Sequence, residues 1–365
     1  MTQVHYTLTE EQELLRKTAR RFLADRVGSE KVRALMDTDS ALDRDLWREA
    51  ADMGWHGLAI PEDLGGAGYG FAELSIVLEE QGRAVYPGPF LSTVVLGANA
   101  LLLGGSDEQR KQHLPAIAAG ERTATLALLE SAHGLRADTI ELTATDGVLN
   151  GSKRYVLDGH TADLIVVPAR SGGEVRLFLV DGDADGLTRE LTSTLDATRK
   201  QATLTFEDVA AEPMPGGWDV VEQVQRLAAA ALACELVGVA QRGLEMALEY
   251  ARGRYQFGRP IGSFQAIKHR LADMLVRTEH TRSAAYHAAR TSDDPEEFPI
   301  SSALAKAVAS ETATWVTGEV IQVHGGIGFT WEHDAHLYFK RAKSASLLFG
   351  DARHHRGLLA DALGL

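Results

Sequence analysis

The sequence predicts a mainly α-helical protein with a central antiparallel β domain and a C-terminal bundle of four long helices. Three observations carry this. Apolar residues recur at helical spacing through the first third, and the middle breaks into short apolar or β-branched runs between glycine turns. From about Trp218 the chain returns to long alanine-rich helical stretches. The divisions implied are a helical part over 1–121, a β-barrel or sandwich over 122–214, and a bundle over 215–365.

Thr9 with Gln12 three positions on forms a capping-box pattern, and Leu14, Leu15, Thr18, Phe22 and Leu23 continue it at helical spacing. A second helix is expected around 45–53. The run from Ile60 to Gly70 is excluded from helix by Pro61 and its glycines, and helix resumes over 72–85. Pro87-Gly-Pro89 interrupts again, and Ser106 with Gln109 opens a helix that stops at Pro115 or Gly120. Strands are expected over 123–129, 164–167, 175–180 and 202–206. Turn signals at Asp146-Gly147, Asn150-Gly151, Asp158-Gly159, Gly172-Gly173 and Asp185-Gly186 separate them. No G-x-G-x-x-G follows a strand and opens a helix, which argues against a Rossmann cofactor domain. Long helices follow over 220–250, 266–289 and 301–323, with a last one over 336–349.

Composition narrows the class. In 365 residues, 37 Lys and Arg face 51 Asp and Glu, and the net charge of −14 argues against a nucleic-acid partner. The lone Cys234 allows no intrachain disulfide and fits a reducing compartment. Residues 1–6 lack a basic region followed by an apolar one. The longest near-apolar run, 227–234, is far short of the roughly 18 residues of a membrane span. A cytoplasmic protein is expected.

Two segments carry chemistry. Around Arg252, Arg254 and Arg259 a helix gives way to a Gly/Pro turn, where a guanidinium can grip a phosphate and Phe257 can lie against a planar ring. In the run from Ile321 to Phe329, Gly325, Gly326 and Gly328 leave backbone amides open to a close ligand. An arginine cluster is equally a solvated face, and a double glycine equally a turn.

These segments decide the matter with three others: Ile60-Pro-Glu-Asp-Leu-Gly-Gly66, Glu79-Glu-Gln-Gly-Arg83 and Leu114-Pro-Ala-Ile-Ala-Ala-Gly-Glu121. Over nearly its whole length the chain resembles the acyl-CoA dehydrogenase family, with a helical N-terminal domain, a small β domain and a C-terminal four-helix bundle. The resemblance implies FAD as cofactor, an acyl-CoA substrate and electron-transfer flavoprotein as electron acceptor. It also implies a homo-oligomer or a homologous partner subunit. Arg254 matches an arginine that contacts the FAD pyrophosphate of a neighbouring subunit. Phe257 and Gln265 match residues beside the same cofactor, and Gln322, Gly325 and Gly326 the stretch at its adenine end. The reaction implied is α,β-desaturation: a carboxylate removes the α-proton while flavin takes a hydride from the β-carbon.

The sequence departs from that pattern in three places. One family base position falls on Phe349 and the other on Ala228; neither is acidic. The loop of the β domain reads Leu129-Glu-Ser-Ala-His-Gly-Leu-Arg136 instead of the usual pattern. The usual Trp-x-Thr facing the flavin matches Tyr155-Val-Leu157. Two carboxylates offer themselves as the base. Glu235 lies two helical turns beyond Ala228 on the same face, either a desolvated base with a raised pKa or an interface residue paired with an arginine. Asp351 is adjacent to the missing position, as base or as helix N-cap. His324 reads as a packing residue, and His333, His336, His354 and His355 lack the companions of a metal site. Retained contacts in trans with departures in cis are also what a non-catalytic subunit of a two-plus-two assembly would show.

Overall fold

Side-chain caps place the first helices. In the computed structural model, which describes residues 8–131 and 135–365, Thr9 opens α1 (Glu10–Arg26) with the expected capping box. Its hydroxyl accepts from Gln12 N at 3.2 Å, and its own N–H donates to Gln12 Oε1 at 3.1 Å. A short α2 (Ser29–Met36) follows. Asp43 then caps α3 (Arg44–Asp52), and α4 spans Phe71–Ala84. After Pro89 the chain coils again sooner than its composition indicates. Leu91–Gly97 is a π-helical stretch leading into α5 (Ala98–Gly104). The Asn99 amide donates to the carbonyls of Val94 and Val95 at 3.2 and 3.0 Å, meeting acceptors that the wide spiral leaves. The Ser106 capping box opens α6 (Asp107–Ala118), which runs through Pro115 and ends before the left-handed Gly120.

The central sheet contains β1 (Ala124–Leu126), β2 (Thr143–Thr145), β3 (Val148–Leu157), β4 (Leu164–Ser171), β5 (Glu174–Asp181), β6 (Leu187–Thr192), β7 (Gln201–Ala210) and β8 (Glu212–Gly217). Seven strands run in the order β6-β7-β3-β2-β4-β5-β8, and β1 pairs with β4. The antiparallel expectation needs correcting at two strands. β1 runs parallel to β4, with Ala124 opposite Leu164, and β2 meets β4 in parallel at Arg170. The β2–β3 hairpin carries the chain back to its starting end before β4 begins, which makes the parallel pairing possible. Asn150-Gly151 is not a turn. It lies inside β3, where Gly151 (φ 138°) absorbs a register shift against β7. Leu149, Ile165, Phe178, Leu204 and Phe206 fill the core of this sheet. Of the Leu129–Arg136 loop, residues 132–134 lie outside the described residues, as do Met1–Thr7 at the start of the chain.

The last third is helical: α7 (Trp218–Gly253), α8 (Gln265–Arg290), α9 (Phe298–His324), α10 (Ala335–Leu347) and α11 (Ala352–Ala362). The expected helix over 336–349 is α10, which ends two residues sooner; a turn at Phe349 and Gly350, both with positive φ, then leads into α11, which was not expected. α7 passes a length and hydropathy test for a membrane span, yet 89% of its apolar window is buried in protein, as in a core helix. The chain forms two compact units that interleave along the sequence. Met1–Val32, Phe71–Tyr86 and Ala229–Leu365 make one; Arg33–Gly70 and Pro87–Ala228 make the other.

Within the first unit, α4 crosses α7 at backbone contact. A Cβ on Gly238 would overlap the Glu79 carbonyl, and one on Gly82 would overlap the Glu235 carbonyl. α1 lies along α4, where Arg20 grips the buried Glu80 at 2.6 Å and Gln12 donates to Glu73 at 2.9 Å. Gly238→Ala is expected to lower the free energy of unfolding by about 2 kcal/mol or more, because neither backbone can retreat. Gly357→Ala, in α11 with open space around it, should raise stability by about 0.5–1 kcal/mol. Urea denaturation of the two variants separates these outcomes.

Candidate functional site

The two segments singled out in the sequence grow from adjacent helix ends. Tyr250, near the end of α7, packs against His324, the last residue of α9, with ring centroids 4.4 Å apart; His333 covers His324 at 4.3 Å. Burial holds the His324 imidazole below its usual pKa, and its Nδ1 lies 2.8 Å from the Val320 carbonyl, which can only accept. His324 is thus the packing residue expected.

Beyond α7, β9 (Tyr255–Gln256) and β10 (Arg259–Pro260) pair as a minimal hairpin, Gln256 opposite Arg259. Both residues of its turn are left-handed, Phe257 at φ 52° and Gly258 at φ 76°. That geometry suits glycine or asparagine and is an outlier for phenylalanine. Phe257 is also 92% exposed. Arg254 is exposed at the foot of the hairpin, and the Arg259 guanidinium lies over the Phe264 ring at 4.1 Å. Phe264 opens α8 without a side-chain cap, so no side chain at the N-cap meets the first amides of the helix at Gln265.

At the end of α9, Gly325 takes φ 63° and ψ −138°, a region only glycine occupies readily. A Cβ at Gly325 or Gly326 would meet nothing within 4 Å, and both residues are exposed beside the exposed Gln322. Gly328 differs from the expectation of an open amide: it is buried, and a Cβ there would press on His324. Its role is packing.

The two carboxylates considered as bases are both engaged. Glu235 is 3% exposed, and Arg341, 1% exposed, donates to its Oε1 at 2.6 Å and to the Tyr86 carbonyl at 3.2 Å. This is the paired interface of the second alternative: the Glu235 carboxylate faces a buried guanidinium. Asp351 is the N-cap of α11, accepting from His354 N at 2.8 Å. That hydrogen bond holds its carboxyl below the usual range, the opposite of what a base for a weak acid needs. Phe349, at the family's base position, is left-handed at φ 54°.

In the second unit Tyr155 is likewise left-handed, φ 56°, at a register shift in β3. Beneath it the fully buried Lys153 pairs with Glu130 at 2.6 Å, and Glu130 also accepts from Glu141 N at 2.7 Å. Burial pulls the Lys153 ammonium down to about 8. Among the described residues no three His, Cys, Asp or Glu side chains gather as a metal site. His336 instead stacks on Trp331. Arg341 was not among the expected site residues, although Leu337, Arg341 and Ala345 share one buried face of α10 at four-residue spacing.

Comparison with known proteins agrees with this layout. Residues 9–121 match the acyl-CoA dehydrogenase N-terminal domain and residues 215–364 the acyl-CoA dehydrogenase C-terminal domain. The chain is 37% identical over 351 residues to the acyl-CoA dehydrogenase IpdE2 of Mycobacterium tuberculosis, covering 95% of each. The ChsE4–ChsE5 complex of the same species contains a chain with TM-score 0.91 and 31% identity, 99% of each chain being covered. A variant of the Tcur3481–Tcur3483 steroid ACAD gives TM-score 0.89 and 34% identity, over 98% of this chain and 99% of that one.

Replacing Glu235 by Gln should destabilise the protein by about 3 kcal/mol, because it leaves a buried guanidinium without its counter-charge. Combining it with Arg341→Met should recover most of that loss in the same thermal or urea melt.

Proposed function

The chain belongs to the acyl-CoA dehydrogenase family, oxidoreductases that act on the CH–CH bond of acyl-CoA thioesters, and we propose on that premise that it works as one of two homologous subunits. It completes an FAD site seated mainly on its neighbour, and the neighbour supplies the base.

Phe257 carries this proposal. An aromatic residue that is both left-handed and 92% exposed carries backbone strain of about 1–3 kcal/mol, and its edge-on ring contact with Phe264 at 6.2 Å leaves most of its surface uncovered. Such a side chain is explained by a surface outside the chain. The residues beside it suit a dinucleotide. Arg254 and the uncapped start of α8 at Gln265 offer cationic and amide donors for a pyrophosphate. Gln322 and the open cradle of Gly325 and Gly326 leave space at the adenine end that any Cβ would narrow. Bound FAD supplies the hydride acceptor for desaturation. This chain's part is to hold and orient it, and the partner's carboxylate takes the α-proton.

The engaged state of Glu235 and Asp351, with Phe349 at the usual base position, supports a base from elsewhere. A homo-oligomer using Glu235 would have to break the Arg341 pair at each turnover. That a related chain was solved as a ChsE4–ChsE5 complex fits a heteromer. Electron-transfer flavoprotein is the acceptor the family resemblance proposes.

Purified alone, the chain should hold well under one flavin per protomer and show no bleaching by acyl-CoA thioesters. Co-expressed with a homologous subunit that carries the family glutamate, it should yield a yellow, active assembly. In that assembly Arg254→Ala should weaken flavin binding by about 2 kcal/mol, roughly thirty-fold. A yellow, fully active homo-oligomer of this chain alone would overturn the proposal.

A further inference from the structure

α11 is held by a residue that titrates. His355 is the one side chain of α11 that is buried, at 3% exposure; the rest of the helix is exposed or half-buried. Its ring nitrogens are not equivalent. Nε2 lies 2.9 Å from the Phe349 carbonyl, which can only accept, so Nε2 carries the hydrogen of the neutral ring. The other nitrogen, Nδ1, is buried and has no hydrogen-bond partner. A second proton would therefore sit on Nδ1, with no acceptor to meet it.

The surroundings make that proton more costly. Lys306 of α9 is fully buried, with its ammonium donating to the Gly350 carbonyl at 2.9 Å, the Ser346 carbonyl at 3.3 Å and the Ser310 hydroxyl at 3.2 Å. It thus ties the end of α10 and the Phe349–Gly350 turn to α9. Burial pulls Lys306 down to about 7 and His355 to about 3. The other charges facing the pair are few. Asp351, on the turn, is occupied in capping α11; His354 is the next residue along the helix and lies edge-on to the His355 ring at 5.2 Å. On the exposed side Arg356 of α11 pairs with Glu311 of α9 at 2.6 Å, so that acid is already matched. Protonating His355 thus adds a positive charge beside Lys306, with only Asp351 to answer it. The turn it would disturb is strained at Phe349 and does not favour staying closed by itself.

We propose that the docking of α11 is an acid-sensitive latch, in which protonation of His355 beside Lys306 releases α11 and the Phe349–Asp351 turn from α9. The inference concerns this chain's own packing and is independent of which subunit carries the base.

The sign follows from the pKa difference. The released ring takes its proton near pH 6.5 and the docked ring only near 3. The His355 contribution to docking is thus present above pH 6.5 and weakens by nearly tenfold per pH unit below about pH 6. Amide hydrogen exchange on the full-length protein, corrected for intrinsic rates, reads this directly. Protection over 352–362 should fall roughly fifteen-fold between pH 6.5 and pH 5, with α9 and the central sheet changing far less. His355→Gln keeps a donor for the Phe349 carbonyl and cannot take the proton, so its α11 protection should hold nearly constant from pH 6.5 to pH 5, where Lys306 is already charged. If that variant fails to dock, its protection at pH 8 should match the wild type at low pH. His354→Gln should retain the wild-type pH dependence. Constant protection of α11 in the wild type from pH 8 to pH 5 would overturn the latch. So would an undiminished pH dependence in His355→Gln.

Discussion

Gly82 of α4 and Gly238 of α7 bring two helix backbones into contact, and the rest of the first unit is arranged around the charges buried by that closeness. On one side of the crossing, Glu79 receives Arg282 and the Tyr286 hydroxyl, the latter at 2.7 Å. On the other, Glu235 receives Arg341. One turn further, Arg83 grips Glu245. Each pair joins helices distant in sequence, and the buried Glu79 and Glu235 cannot lose their partners without a large cost, whereas the Arg83–Glu245 pair is partly exposed. Side chains at the crossing would push the helices apart and let water reach the pairs. Two missing methyl groups thus decide where four helices meet.

That constraint also bears on our proposal that the base comes from a neighbouring subunit and not from Glu235. A base for an α-proton must be desolvated without being neutralised by a fixed cation, and the crossing supplies the first condition while Arg341 removes the second. Left-handed backbone occurs next to the crossing at Val85 and also elsewhere in the protein. Among the described residues Tyr155, Phe257 and Phe349 are the left-handed aromatics, and each occupies a position that the family resemblance associates with cofactor or base. The C-terminal latch is built on the turn at one of them, because the carbonyls of Phe349 and Gly350 are the acceptors for His355 and Lys306.

Much of the fold was legible in the sequence for local reasons. The boxes at Thr9 and Ser106 announce helix starts through contacts three residues apart. Strand boundaries were less legible: Asn150-Gly151 looks like a turn because the same dipeptide serves turns and bulges, and only the pairing of β3 with β7 tells them apart. The parallel placement of β1 was invisible for the same reason, since strand direction depends on where an intervening hairpin leaves the chain.

What the sequence by itself determined was the kind of each major helix, the position of the arginine and glycine segments, and the family they signal. Periodicity and turn chemistry act within a few residues and can be read along one strand of text. Only the tertiary structure decided that α1 and α4 belong with the C-terminal helices, that Arg341 answers Glu235, and that a histidine anchors the last helix. These facts turn on which desolvated groups face one another across more than a hundred residues of chain, or across a turn whose strain no residue pattern records. The energy of a buried charge is set by its neighbours in space, and those exist only once the chain has folded.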